Sequence, residues 1–372
     1  MPPGLRRMFT PAISVLIGSS RVVVSRAKPP VRTRLCDNAK GHLKFGTVPA
    51  SVVGAIVGSV LLATHRSNEK ESAPKGGLPP GGKVVASIHV GHGVRPPVGG
   101  GAMAVGAGAV WAMSDAGQTL SRIDPEQNAV VAKIKVSPPE AVAAGDGAVW
   151  LTYPFDNAVY RIDPATNKVA ATIHVGPRPE GIAVSTGAVW VAIADGPSLS
   201  RIDPATNRVV ATIGLGPKRE CCAEHMSVLA SPGAVWVAHT SGNRLVRVDP
   251  ATNRVVETVP LDYGPCGFLA TDKTGVWSTS ACGGDVFTRV DVRTKKVTAR
   301  HAAVHPVGLG FAFGSAWVAV TGTGNIDRID PATGRLAGRL HVSGLVVRLG
   351  TGFGSIWVND DFGRILRIDP TP

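Results

Sequence analysis

The seven tryptophans of this chain recur at a nearly constant spacing, and that spacing constrains the fold more than any other feature. Successive tryptophans lie 39, 40, 46, 41, 40 and 40 residues apart, each ending a phrase that is GAVW four times and then TGVW, GSAW and GSIW. A period near 40 residues with several strands in each period is the pattern of β-propeller blades. The seven positions are Trp111, Trp150, Trp190, Trp236, Trp277, Trp317 and Trp357.

Each period predicts four short strands, a to d. In the third copy these cover residues 181–184, 188–192, 199–203 and 208–215. The last two are joined by the phrase Asp-Pro-Ala-Thr-Asn, in which Asp can accept hydrogen bonds from the following backbone, Pro presets φ and Asn tolerates a left-handed conformation. The 45 glycines and 29 prolines fit short strands joined by tight turns.

The seventh copy stops where its strand d should begin, and the missing strand is found at the other end of the repeat region. Residues 83–91, KVVASIHVG, match residues 168–176, KVAATIHVG, almost position for position. We therefore expect an all-β, seven-bladed propeller over residues 83–372, with residues 83–90 completing the last blade by pairing with residues 365–369. Closure of this kind removes free sheet edges that would invite aggregation.

The region before the repeats has a different composition. Residues 1–44 carry nine Lys or Arg against one acidic residue, whereas the repeat region is nearly balanced, so the net charge of +13 is local to the N-terminus and no nucleic acid partner is expected. Residues 45–64 are uncharged and long enough for a transmembrane anchor, although their most apolar core also suits a signal-peptide h-region. Residues 1–44 are expected to be a basic, disordered cytoplasmic tail, and residues 65–82 a linker. The propeller would then lie outside the cytoplasm on a single-pass membrane protein, or be secreted if the segment is cleaved.

The residues that recur in every copy of the repeat are expected to be structural. A tryptophan in every copy most simply packs between neighbouring blades, and an Asp beside every turn most simply shapes that turn. Function is expected where the copies differ, on the face formed by the d–a and b–c loops. Candidate ligand-binding residues there are Glu140, Glu180, His225, His239, His305 and Asp360, with ordinary exposed loop polarity as the alternative.

Four of the five cysteines fall on the same face: Cys221, Cys222, Cys266 and Cys282. An even number in a domain outside the cytoplasm predicts disulfides. Cys266 could pair with Cys282 or with one of the vicinal pair. The other possibility is a site for a soft metal that includes His225.

The repeat phrases resemble two kinds of known propeller. RIDPATNRVVATIGLG, preceded by GAVWVA, is similar to the YVTN-type repeats of bacterial surface and periplasmic proteins, over about residues 83–372. RPEGIAVSTGAVW is similar to the streptogramin (virginiamycin B) lyase-type propellers, a resemblance that implies a metal-assisted elimination site with a Glu on strand b and a His just before strand a. The residue three positions after each Trp is never Glu here.

Two functions remain open at the level of sequence. The first is a non-enzymatic binding module for a protein or cell-envelope ligand, because no nucleotide-binding, zinc-protease or serine-hydrolase motif is present. The second is a metal-dependent lyase or hydrolase, with Mg²⁺ as the implied cofactor. In that case His225, His239, Glu180 and Asp360 would converge at the mouth of the central channel.

Overall fold

A computed structural model of the chain describes residues 81–92, 103–114, 118–217, 225–280, 285–303 and 305–371. The chain divides into two units, Met1–Arg66 and Ser67–Pro372, and all described residues belong to the second. They form 28 strands arranged as seven four-stranded antiparallel sheets. The predicted seven-bladed propeller is therefore confirmed.

Each blade except the last is built from four consecutive strands. Blade 1 contains β2 (Met103–Gly106), β3 (Ala109–Ser114), β4 (Thr119–Asp124) and β5 (Ala129–Lys135), and blade 2 contains β6 (Val142–Gly145), β7 (Ala148–Tyr153), β8 (Ala158–Asp163) and β9 (Lys168–His174). Blade 3 contains β10 (Pro179–Ser185), β11 (Ala188–Ile193), β12 (Ser198–Asp203) and β13 (Arg208–Gly214). The four strands predicted for this copy agree with it to within two residues.

The remaining blades repeat the pattern. Blade 4 contains β14 (Met226–Ser231), β15 (Ala234–His239), β16 (Arg244–Asp249) and β17 (Arg254–Pro260), and blade 5 contains β18 (Leu269–Thr271), β19 (Gly275–Ser280), β20 (Val286–Asp291) and β21 (Val297–Ala302). Blade 6 contains β22 (Pro306–Ala312), β23 (Ser315–Val320), β24 (Asn325–Ile329) and β25 (Leu336–His341), with one 3₁₀ turn at Thr321–Thr323. Blade 7 contains β26 (Val346–Gly352), β27 (Ser355–Asp360), β28 (Arg364–Asp369) and β1 (Lys83–His89).

Strand β1 closes the ring in the predicted register. It is antiparallel to β28, with Lys83 opposite Asp369 and Ile88 opposite Ile365. Ile88 and Val90 are buried in the same cluster as Trp357 and residues of blade 1. The closing strand therefore completes blade 7 and also adds to the contact between the last blade and the first.

Each tryptophan packs against the next blade, as expected. All seven are at most 2% exposed, and seven separate apolar clusters each join the tryptophan of one blade to strands b and c of its neighbour. Trp190 of blade 3, for example, lies with Val235 and Val246 of blade 4. A role of these rings as an open stacking platform is therefore excluded.

The turn between strands c and d works as its sequence predicts. In blade 3, Asp203 accepts hydrogen bonds from the Ala205 N–H at 2.9 Å and the Thr206 hydroxyl at 2.9 Å, and these bonds lower the pKa of Asp203. The final Asn207 has φ of 57°, a conformation that Asn adopts at low cost. Blade 6 has Gly334 at this position, with φ of 67°.

An arginine links four of the blades to the turn of the next one. In blade 3, the Arg201 guanidinium lies 5.2 Å from the centre of the Trp190 ring and donates from Nη1 to Pro250 O and Asn253 Oδ1, both at 3.0 Å. We call this arrangement the arginine clasp. Equivalent bonds run from Arg122 to Pro164, from Arg161 to Pro204 and Asn207, and from Arg367 to Pro125 and Asn128.

The arginines at the same repeat position in blades 4, 5 and 6 contact residues of their own blades instead. Arg247 pairs with Glu257 at 3.8 Å, Arg289 with Asp272 at 2.7 Å, and Arg328 donates to Ser315 at 3.0 Å. The turn that would receive Arg247 has a different sequence, VRTKK, and the outer turn of blade 7 is interrupted because its fourth strand is β1.

The predictions for residues 1–80 lie outside the described residues. They comprise the basic tail, the membrane anchor or signal segment, and nearly all of the linker. Within the part of the chain that the structure describes, no helix is long and apolar enough to cross a membrane.

Candidate functional site

A cleft of about 400 Å³ opens on the d–a and b–c face, over blades 2 and 3 and the entry to blade 4. This is the face on which function was expected, and the loops that form the cleft are those in which the copies differ most. Its lining residues are Glu140, Pro154, Phe155, Asn157, Pro177, Arg178, Glu180, Asp195 and His225.

Glu180 is the most deeply buried acid of the cleft, at 5% exposure. It lies in β10, where its Oε1 accepts a hydrogen bond from Arg178 Nη2 at 2.7 Å and its Oε2 accepts one from the Met226 N–H at 2.8 Å. Burial raises the pKa of Glu180 to about 7, against the opposing effects of the Met226 N–H and the Arg178 guanidinium. The negative charge of Glu140 adds to the rise. Glu180 can therefore exchange a proton near neutral pH.

Arg178 is fixed in place by its surroundings. Its φ is 57°, in the left-handed region that non-glycine residues seldom occupy, and its backbone N–H donates to Asn157 Oδ1 at 3.0 Å. The guanidinium lies between Glu180 and Asp195, with Nη1 3.7 Å from Asp195 Oδ1. A backbone conformation of this kind persists only where surrounding contacts compensate its strain, and it occurs preferentially at functional sites.

The two blades that form the cleft are joined by one buried hydroxyl. Thr152 of β7 donates from Oγ1 to Glu180 O at 2.8 Å and accepts from the Ala141 N–H at 3.0 Å. Glu140, the residue before Ala141, donates its backbone N–H to Thr152 O at 2.9 Å. Thr152 therefore holds the starting ends of both inner strands, and with them Glu140 and Glu180, in a fixed relation.

Phe155 forms an apolar rim to the cleft. It lies in the loop between β7 and β8 and is 100% exposed, with Pro154 beside it and Pro177 on the facing loop. Aromatic side chains are enriched at contact surfaces between proteins. The cleft therefore combines an apolar rim with a charged floor.

Three of the six predicted ligand-binding residues, Glu140, Glu180 and His225, line this one cleft. His305 lies on blade 6, with its Nδ1 3.7 Å from Asp285. His239 and Asp360 are each the last residue of a strand b and are 0% exposed. The structure therefore brings half of the predicted set together.

The side chains of His239 and Asp360 both take part in local hydrogen bonds. His239 Nδ1 accepts from the Gly242 N–H at 3.1 Å. Asp360 accepts from the N–H groups of Phe362 and Arg364 at 3.0 and 2.9 Å and pairs with the Arg364 side chain at 2.6 Å. These bonds shape the b–c loops of blades 4 and 7.

Of the four cysteines, only Cys266 lies among the described residues, in the loop before β18, with its Sγ 4.0 Å from Ser280 Oγ. Cys221, Cys222 and Cys282 lie outside them, so the pairing stays a prediction. Across the described ranges, no group of three or more His, Cys, Asp or Glu residues is arranged to hold a metal ion.

Three features of this face were not predicted from the sequence. Both Phe155 and Arg178 stand in loops in which the copies differ. Phe155 belongs to no motif, and Arg178 opens the phrase RPEGIAVSTGAVW but was not among the predicted site residues. The third feature is a contact between two blades that are not neighbours, where the Arg348 guanidinium of blade 7 lies 4.3 Å from the centre of the Phe268 ring, which precedes the first strand of blade 5. Burial lowers the pKa of Arg348 to about 10, with Glu140 opposing the change. An arginine in the inner strand of blade 7 was the available signal, because the inner strands of the other blades carry no Lys or Arg.

Comparison with known proteins places the chain among β-propellers. No family model matches the sequence, and no curated protein is significantly similar to it. Among solved structures, virginiamycin B lyase from Staphylococcus aureus superposes with a TM-score of 0.61 at 16% identity, covering 76% of this chain and 99% of that one. A streptogramin B lyase gives a TM-score of 0.60 at 16% identity, covering 76% and 96%. BamB from Moraxella catarrhalis gives 0.57 at 14% identity, covering 77% and 99%. At these identities the similarity shows the fold alone.

Proposed function

We propose that this propeller is a binding module, and that the cleft over blades 2 to 4 is its ligand site. The observation that carries the proposal is Phe155, a fully exposed aromatic ring at the rim of a cleft of about 400 Å³. The volume is within the range of roughly 300–1,000 Å³ that small ligands and single side chains occupy in proteins. A protein or cell-envelope component that presents a short segment is the expected partner.

The cellular setting is part of the same proposal. Residues 45–64 would anchor the chain in a membrane, with the propeller outside the cytoplasm, because the preceding segment is rich in Lys and Arg and the apolar stretch has 20 residues. A reporter enzyme that is active only outside the cytoplasm, fused after Pro372, tests this orientation. An inactive fusion of normal abundance contradicts it.

Site-specific photocrosslinking tests the binding site. A benzophenone amino acid at Phe155 of the full chain is expected to give a discrete crosslinked product in cells. The same label at Phe353, a half-exposed phenylalanine on a turn between strands a and b at the opposite face, is the control. The crosslinked product at Phe155 should also be lost when Glu140→Gln and Asp195→Asn are combined, because they remove two carboxylates from the floor of the cleft. Equal products at both positions, or none at Phe155, would contradict the proposed site.

The lyase alternative rests on resemblance in sequence and fold. It predicts that Mg²⁺ binds the folded chain and raises its melting temperature, because a ligand that binds only the native state stabilises it. An unchanged melting temperature at millimolar Mg²⁺ and Mn²⁺ would exclude this alternative.

A further inference from the structure

We infer that the cleft recognises a basic peptide segment, with a Lys or Arg side chain directed at the carboxylates of its floor and a neighbouring apolar residue on Phe155. The inference rests on the proposed function and adds the chemical class of the ligand. It depends on the charges of the cleft and on where the apolar surface lies.

Acidic groups outnumber basic ones among the lining residues. Glu140, Glu180 and Asp195 supply three carboxylates. The cation among them, Arg178, is held by two of these, at 2.7 Å from Glu180 and 3.7 Å from Asp195. The backbone bond to Asn157 and the left-handed φ keep it there. A ligand that enters the cleft therefore meets three carboxylates and one guanidinium among the lining residues, with the charge of Arg348 also acting on Glu140.

The geometry separates the charged and apolar parts of the cleft. Glu140 precedes the inner strand of blade 2 and Glu180 lies at the start of that of blade 3, and Thr152 holds the two segments together. Phe155, by contrast, lies in the loop between β7 and β8 of blade 2 and is fully exposed. A cationic side chain has methylene groups and a charged tip, so a ligand can place the tip on the floor and rest a neighbouring side chain against the ring. An acidic segment would add negative charge beside the three carboxylates, and a purely apolar segment would remove water from them without supplying a further cation.

The net charge of the floor depends on pH through Glu180. The charged groups around this carboxyl are Arg178 from the preceding loop, Glu140 from blade 2 and Asp195 from the b–c loop of blade 3, with His225 at the rim. Since the pKa of Glu180 is about 7, a bound cation should favour its ionised form and lower that pKa. Affinity for a basic peptide should therefore fall as the pH is lowered from 8 to 6, by up to about tenfold.

Peptide binding to the full chain tests the ligand class. Three fluorescent ten-residue Gly/Ser peptides would carry two lysines and one tryptophan, two glutamates and one tryptophan, or one tryptophan alone. We expect the basic peptide to bind at least about tenfold more tightly than the acidic one. Glu140→Gln with Asp195→Asn should remove that preference, and Phe155→Ala should weaken the basic peptide without removing it. Asp146→Asn, an exposed acid of blade 2 on the opposite face, is the matched control and should change nothing.

The outcomes separate the ligand class from the proposed function. Equal or tighter binding of the acidic peptide overturns the basic class, as does spermidine binding as tightly as the basic peptide, since the ligand would then be a free polyamine. If no peptide binds while the crosslink at Phe155 persists, the class is wrong and the binding site stands. If both experiments are negative, the proposed function fails with it.

Discussion

Replacing Arg201 by Ala removes one arginine clasp and so measures how much the clasps hold the ring together. The side chain makes two bonds of 3.0 Å to the turn of the next blade and stacks on Trp190 at 5.2 Å. Hydrogen bonds to a charged donor contribute about 1.5 to 3 kcal/mol each when buried, and a cation–π contact about 0.5 to 1 kcal/mol. Because the guanidinium is only partly buried, we expect the free energy of unfolding to fall by about 2 to 4 kcal/mol.

The chain supplies its own control at Arg328. This residue stacks on Trp317 at 5.7 Å but donates to Ser315 within its own blade. Arg328→Ala therefore loses the stacking and one local bond, for which we expect about 1 kcal/mol. The difference between the two variants isolates the bonds that cross between blades.

Urea denaturation followed by tryptophan fluorescence measures both variants, and calorimetry should show a melting temperature lower by several degrees for Arg201→Ala. Asn253→Gly removes the side-chain acceptor but permits its φ of 55°. Combined with Arg201→Ala it should show a coupling of about 1 kcal/mol. If Arg201→Ala and Arg328→Ala cost the same, or the coupling is absent, the clasps do not hold the blades together.

Three further predictions concern the closing strand, the buried acid and the cysteine. Deleting residues 83–90 exposes the apolar partners of Ile88 and Val90 and should lower the melting temperature by more than about 10 °C. Adding a peptide of residues 81–92 should partly restore the melting temperature. Full stability without β1 would contradict the closure of the ring by this strand. Burial raises the pKa of Glu180 to about 7 in the folded chain, above the value of about 4.3 for a free Glu side chain, so stability should fall as the pH rises from about 4.3 through 7 and then level off. Glu180→Gln should abolish this dependence in urea titrations at pH 5 and pH 8, and a dependence unchanged by the substitution would refute the assignment. Non-reducing peptide mapping should find Cys266 linked to Cys282 or to the vicinal pair, whereas alkylation of Cys266 before reduction would show that it is a thiol.

The ring could be predicted from sequence because every structural element occurs several times. The Asp203–Asn207 turn would be ambiguous if it occurred once, but the same phrase stands in blades 2, 3 and 4 and close variants stand in blades 1 and 6. The match between residues 83–91 and 168–176 predicted how the closing strand pairs with β28. The tryptophans were assignable for the same reason. A residue present at the same place in every blade has to serve what all blades share, which is the contact with the next blade.

The site could be predicted only in part, because it depends on loops that occur once. Glu140, Glu180 and His225 were found because they precede or begin the inner strands of consecutive blades, which the ring brings side by side. The full exposure of Phe155 and the left-handed conformation of Arg178 could not be deduced, since both depend on how one loop packs on another. His239 and Asp360 were expected in open loops, but each strand b runs one residue further and buries them.

The position of β1 also bears on how this ring could be re-engineered. Lys83 lies opposite Asp369, so the two ends of the blade-7 outer strands are neighbours although they are far apart in the sequence. Joining Pro370 to Lys83 through Ala-Thr-Asn would recreate the turn found in blades 2, 3 and 4, and the chain could then be opened at one of those turns instead. Such a circular permutant would give blade 7 a complete turn between its two outer strands. Arg328 of blade 6 could then reach that turn and form the arginine clasp that is absent between blades 6 and 7.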